Sequence, residues 1–209
     1  MKHTRRALFA LFALLLMPLL ALAAPAKPAP PPAAAEALPE DVAQYAVWSA
    51  LLAHGLPADT REIIIAAQTT TDTNPVVAPG ANLEAVAKKL ALDPALLRGW
   101  LRANESRETL TPRLTLKAKY QLLDDATRAK IFAGEDPVAN WARFKQRYPD
   151  APGILRLSRA AFDPFQQQAL VYLEFSCGPA CGSGRLIHAA RDGKGWKALS
   201  GELIWIAGP

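Results

Sequence analysis

The stretch QALVYLEFSCGPACGSGRLIHAARDGKGWKALSGELIWI, residues 168–206, decides the fold. It is rich in aliphatic and aromatic residues, and Gly- and Pro-containing breaks divide it into strand-length runs. From Gln168 to Cys177, the residues Ala169, Val171, Leu173, Phe175 and Cys177 fall on one face. Tyr172, Glu174 and Ser176 fall on the other, because side chains alternate along a strand. Arg185 to Arg191 reads as the next strand, and Trp196 to Ile206 as the last. Between them Asp192-Gly193-Lys194-Gly195 is a tight-turn signal. Upstream, Ile154 to Phe162 reads as a strand that ends at Asp163-Pro164. Together these make a four-strand antiparallel meander.

Helical signals precede the meander. Glu40 to His54 follows Pro39, carries Glu40 and Asp41 at its start and meets Gly55 at its end. Asn82 can cap a helix through Leu90, and Asp93-Pro94 and Asp136-Pro137 each pair a cap with a first-turn proline. Trp141, Phe144 and Tyr148 then face inward on the last of these helices. Ile63, Ile64 and Ile65 read as a buried strand. Leu114 to Leu122, alternating with Thr115, Lys117, Lys119 and Gln121, reads as a half-buried strand. Thr69 to Ala81 reads as a long loop. The fold class expected is α+β: a single domain over residues 40–209, with a largely antiparallel sheet ending in the meander and helices toward one side.

The N-terminus has the parts of a signal peptide over residues 1–23. Lys2, Arg5 and Arg6 precede an apolar run, and Ala21-Leu22-Ala23 supplies an A-x-A cleavage site. Pro18 and the small residues after it favour cleavage over retention as a membrane anchor, so no stable membrane span is expected afterwards. Residues 24–39 are almost wholly Ala and Pro and read as an extended linker. The chain has 24 basic and 19 acidic residues, a formal charge of +5. Removing Lys2, Arg5 and Arg6 leaves 21 against 19, or +2. Nucleic-acid binding needs a clustered basic face, and that balance offers none. The expected location is the periplasm or the medium.

Several segments together resemble an uncharacterised family of exported bacterial proteins. They are Leu157-Ser158-Arg159-Ala160-Ala161-Phe162-Asp163, Gln168-Ala169-Leu170-Val171-Tyr172, Cys177-Gly178-Pro179-Ala180-Cys181-Gly182-Ser183-Gly184, Gly195-Trp196-Lys197 and Ile204-Trp205-Ile206. Tyr45 to Leu52 resembles the family's opening helix. Ala161 departs from a frequent glycine, and His188 stands where an apolar residue is more usual. The resemblance implies this fold and export, and it brings no catalytic residues.

Cys177 and Cys181 are the only cysteines. In an exported chain, two thiols this close are expected to form a disulfide. They serve either as a structural staple or as a thiol–disulfide exchange pair. The C-x3-C spacing, with no helix start following, favours the staple. Downstream of residue 23 the histidines are His54 and His188, too few to complete a zinc set with the cysteines. Ser183 lacks the glycines of a nucleophile elbow, and the Gly-rich stretch lacks the Lys-Ser or Lys-Thr of a phosphate loop. A hydrolase triad assembled from Ser158 or Ser183 with His188 and Asp192 would be invisible in sequence. No motif calls for a cofactor or a metal. If helices leave the Tyr172 and Glu174 face open, then Arg159, Tyr172, Glu174, Arg185 and His188 form a candidate binding patch beside the cysteines. Trp196 would join it as the most exposed of the five tryptophans, while Trp48, Trp100 and Trp141 fit packing of helices on the sheet. The leading expectation is a non-enzymatic module that binds a protein or envelope component. A redox protein using Cys177 and Cys181, and a hydrolase, are the alternatives.

Overall fold

The computed structural model describes residues 38–208. The candidate signal segment and nearly all of the Ala/Pro-rich linker lie outside them. The helices are α1 (Glu40–Gly55), α2 (Leu83–Lys89), α3 (Pro94–Ala103), α4 (Asp125–Ile131) and α5 (Pro137–Arg147). The strands are β1 (Glu62–Ala66), β2 (Lys119–Leu123), β3 (Ile154–Leu157), β4 (Ala161–Phe162), β5 (Gln168–Gly178), β6 (Cys181–Arg191) and β7 (Trp196–Ala207). They form one sheet in the order β2-β1-β3-β5-β6-β7, with β4 beside β5. The expected α+β domain and its closing meander of β3, β5, β6 and β7 are present.

Local chemistry starts the helices where expected. The Asn82 side chain accepts from the Glu84 and Ala85 N–H groups, Asp93 from Ala95, and Asp136 from Val138. Each satisfies donors that a helix start leaves free. Helix α4 was not foreseen. Only Ile131 of it is buried, so it shows little apolar period, and its Asp124 cap is its clearest mark. In the β6–β7 turn, Gly193 and Gly195 have φ of 82° and 149°, which suits glycine.

Four of the five described helices lie toward one face of the sheet. There α2 and α3 cover Leu170, Tyr172 and Leu186, while α4 and α5 cover Ile64 and Ile154. Helix α1 lies on the other face, over Ile63, Ile65, Leu155, Leu157 and Val171. β1 is therefore apolar on both sides from Ile63 to Ile65, which is why the isoleucines are continuous.

Two strand expectations need correction. The run from Leu114 forms a ladder only from Lys119, pairing parallel to β1. Before that, the Leu114 N–H donates to the Tyr120 hydroxyl and the Thr115 N–H to Ser49 on α1, so side chains take the place of a partner strand. β3 also runs parallel to β1, while the remaining pairings are antiparallel, so the sheet is largely antiparallel as expected. Finally, Ile154–Phe162 is two strands, broken at Ser158-Arg159-Ala160.

That break is built from side chains. The Trp48 indole N–H donates to the Ser158 carbonyl at 3.1 Å. Asn104 accepts from the Arg159 N–H at 2.8 Å and donates to the Arg159 carbonyl at 3.2 Å. Gln44 accepts from the Ala160 N–H at 3.0 Å. The Ser158 hydroxyl accepts from the Trp100 indole at 3.0 Å and from the Tyr172 N–H at 2.8 Å, and donates to the Arg159 carbonyl at 2.9 Å. The break is buried, yet its polar groups are paired, as burial demands. Ser158 is thus a structural hub joining α1, α3, β3 and β5.

Candidate functional site

The six patch residues do not form one patch. Arg159 sits at the strand break, where it pairs with Glu108 at 3.1 Å and Glu40 at 3.7 Å. Arg185 lies on the α1 face, opposite Leu203 of β7. Trp196 is 5% exposed, so its expected exposure is corrected. Phe162 lies against its ring at 5.6 Å between centroids, and the Arg191 guanidinium lies 5.6 Å from the ring centre. Tyr172, Glu174 and His188 share the face that carries α2 and α3.

His188 lines a hollow of about 10 Å³ with Ser200 and Glu202, room for about one water. Its Nε2 is engaged by the Gln168 side-chain oxygen at 2.8 Å. Of the triad candidates, the Ser158 hydroxyl is already engaged at the strand break by Trp100, Tyr172 and Arg159. Burial lowers the pKa of His188 below its ordinary 6.5. The unfolded chain therefore binds a proton where the folded chain does not. The site's contribution to stability is full above about pH 6.5 and is lost as pH falls through the folded value. His188→Gln should flatten that part of the profile. Urea midpoints taken between about pH 5 and 7 check this, and parallel profiles for the two proteins would contradict it.

Tyr172 and Glu174 belong to a different arrangement. The pairing registers place Arg156 of β3, Glu174 of β5, Gly184 of β6 and Trp205 of β7 in one row across the sheet. Arg156 donates to Glu174 at 3.0 Å and to the Thr70 hydroxyl at 3.1 Å. The two charged side chains are 31% and 11% exposed, so the pair is largely shielded. At the far end of the row the Trp205 indole N–H donates to the Tyr172 hydroxyl at 2.6 Å.

Two glycines let that ring lie on the strand. A Cβ at Gly184 would fall onto the Trp205 indole and the Tyr172 hydroxyl. A Cβ at Gly182 would meet the far edge of the same ring at 3.2 Å. The indole therefore rests on bare backbone, fixed at one edge by Tyr172, and the residue stays half-buried. Burial pushes the Tyr172 pKa up, and the Glu174 and Asp72 carboxylates add to this against the Trp205 bond. The phenol thus stays protonated and neutral. The sequence did not single out Trp205. The G-x-G opposite a final-strand tryptophan was the available signal.

Cys177 and Cys181 form a disulfide across the tip of the β5–β6 hairpin. Gly178 pairs with Cys181, and the register shifts between Ser176 and Gly178. Gly182-Ser183-Gly184 is strand rather than loop, which corrects the sequence reading. The bridge clamps the end of the hairpin that floors Trp205. Strands flank both cysteines, and no helix start adjoins either, unlike the usual exchange pair. Closing this five-residue ring is expected to contribute about 2 kcal/mol, lost on reduction and measurable by urea denaturation with and without a dithiol. Thiol trapping should give a reduction potential below about −300 mV. A value between about −120 and −230 mV would instead mark an exchange pair.

A wider cleft of about 440 Å³ lies near the start of β1 and includes Arg61, Lys145 and Asp150. Its Lys145 ammonium already donates to the Ala151 and Pro152 carbonyls, so it holds its own loop together. Among the described residues no His, Cys, Asp and Glu group could hold a metal ion, and no helix is long and apolar enough to cross a membrane. No protein-family model, curated protein or solved structure matches the chain, so the site is argued from its own geometry.

Proposed function

We propose that this is an exported, periplasmic binding module without a reaction of its own, holding an envelope component on the sheet row that ends at Trp205. The observation that carries this reading is the Trp205 ring, laid flat over Gly182 and Gly184 and pinned by Tyr172. Orienting an aromatic surface this way serves contact, and the neighbouring ionisable groups are paired rather than poised. The Arg156–Glu174 pair satisfies both charges, and the Tyr172 phenol is held neutral. Export is supported by the signal-like residues 1–23, by the resemblance to exported proteins, and by a disulfide, which suits an oxidising compartment.

Two measurements test it. Cell fractionation should recover a chain shortened after Ala23 in the periplasm; full-length cytoplasmic protein would overturn export. The processed protein should co-sediment with washed envelopes, and Trp205→Ala should not. Equal sedimentation of both would remove Trp205 from the site.

A further inference from the structure

We infer that the Trp205 row takes a neutral saccharide, a chain of β-linked pyranose units lying along the sheet surface. This rests on the binding-module reading above and names its ligand class. The argument starts from the ring. An indole has an electron-rich face, and a pyranose with equatorial substituents presents a face of axial C–H bonds that is electron-poor. The two surfaces are flat, of similar size and complementary in charge. Stacking needs an aromatic ring that does not turn edge-on. Here the ring is held by glycine backbone beneath and by the 2.6 Å bond from its N–H to Tyr172 at its edge.

The polar partners have the matching pattern. A sugar hydroxyl both donates and accepts, and vicinal hydroxyls present donor and acceptor side by side. In the same row stand a carboxylate, Glu174, and a guanidinium, Arg156. Arg156 uses one nitrogen on Glu174 and another on Thr70, so the fork is fixed before a ligand arrives. Its charge is taken up by Glu174. A phosphate or a peptide carboxylate would have to break that pair to gain a counter-charge, whereas a sugar hydroxyl can meet its more exposed partner, Arg156, with the pair intact. Ser176, one step further along the same face of β5, adds a hydroxyl toward the hairpin tip. A row of one ring and one ion pair across neighbouring strands, rather than a deep pocket, suits a polymer crossing a surface.

The test uses the processed protein labelled with nitrogen-15 and observes by NMR the Trp205 indole N–H and the backbone N–H groups of Gly182 and Gly184, which also report on variants lacking the indole. The probes are chitotetraose, cellotetraose and an extended acidic hexapeptide, each to about 5 mM, beyond the weak end of specific affinities. The expected result is a saturable shift of the Trp205 signal with a β-linked oligosaccharide and none with the peptide. Trp205→Ala should weaken binding at least about tenfold, as loss of an aromatic anchor does. Glu174→Gln, which keeps the shape, should weaken it less. If Trp205→Ala fails to fold by circular dichroism, Trp205→Phe replaces it, with a smaller loss expected. A shift with the peptide alone would overturn the saccharide class and leave the binding module standing. No shift with either sugar, while Trp205-dependent sedimentation with envelopes persists, would also overturn the saccharide class alone. No shift together with sedimentation that ignores Trp205 would overturn both readings.

Discussion

Ser158→Ala is expected to destabilise the domain by roughly 2–5 kcal/mol, although it removes a single oxygen. That oxygen is the acceptor for two donors, the Trp100 indole and the Tyr172 N–H. Both lie in residues with no exposed surface. Each orphaned buried donor costs about 1–3 kcal/mol, more than a hydrogen bond contributes net, because water cannot take the vacated place. The Arg159 carbonyl keeps its bond from Asn104 and adds little. Denaturation in urea measures the effect directly. Trp100→Phe supplies the check on mechanism. It should cost clearly less in the Ser158→Ala background than in the wild type, because one of the two donors is then already lost. Additive costs, or a Ser158→Ala loss under about 1 kcal/mol, would show that the hydroxyl is not the hub described.

Gly184→Ala should cost about 1–3 kcal/mol as overpacking, and should also displace Trp205. The added methyl has no room between the strand and the indole, so the ring must lift and its bond to Tyr172 must break. Loss of the near-ultraviolet dichroism of a fixed indole would accompany the fall in stability. Gly201→Ala is the control. Its nearest neighbours lie 3.9 Å away, so it should be close to neutral. Combining Gly184→Ala with Trp205→Ala should remove only part of the methyl's penalty, because the Tyr172 hydroxyl also stands in the methyl's place. A Gly184→Ala protein that keeps both its stability and its indole signal would contradict the packing of the ring on bare strand.

Much of the architecture was legible because it is encoded locally. Asp93-Pro94 and Asp136-Pro137 start helices through their own side chains and ring, and Asp192 to Gly195 makes its turn unaided. The parallel pairing of β1 with β2 and β3 was not legible. Three successive isoleucines say that a strand is buried on both faces, and nothing about its neighbours. Ser158 to Ala160 read as strand because its partners, Gln44, Trp48 and Asn104, are distant in the chain. The candidate site was half legible. Tyr172 and Glu174 were placed on one face by simple alternation. Arg185 and Trp196 were grouped with them through nearness in sequence, and the sheet puts both on the opposite face. Trp205 escaped because the groups that define its seat, Tyr172, Gly182 and Gly184, come from other strands and are distant from it in the chain.

The flat seat of Trp205 makes three positions answerable to one another. A side chain at 184 is admissible only when 205 is small, and a large ring at 205 only when 184 and, less strictly, 182 are bare. Among homologous chains the tryptophan is therefore expected only where both glycines stand, while the Tyr172 hydroxyl at 184 and the Phe175 carbonyl at 182 keep those glycines in place without it. A lineage that has given up the ligand would betray it first at position 205, before any change in the G-x-G of the sixth strand.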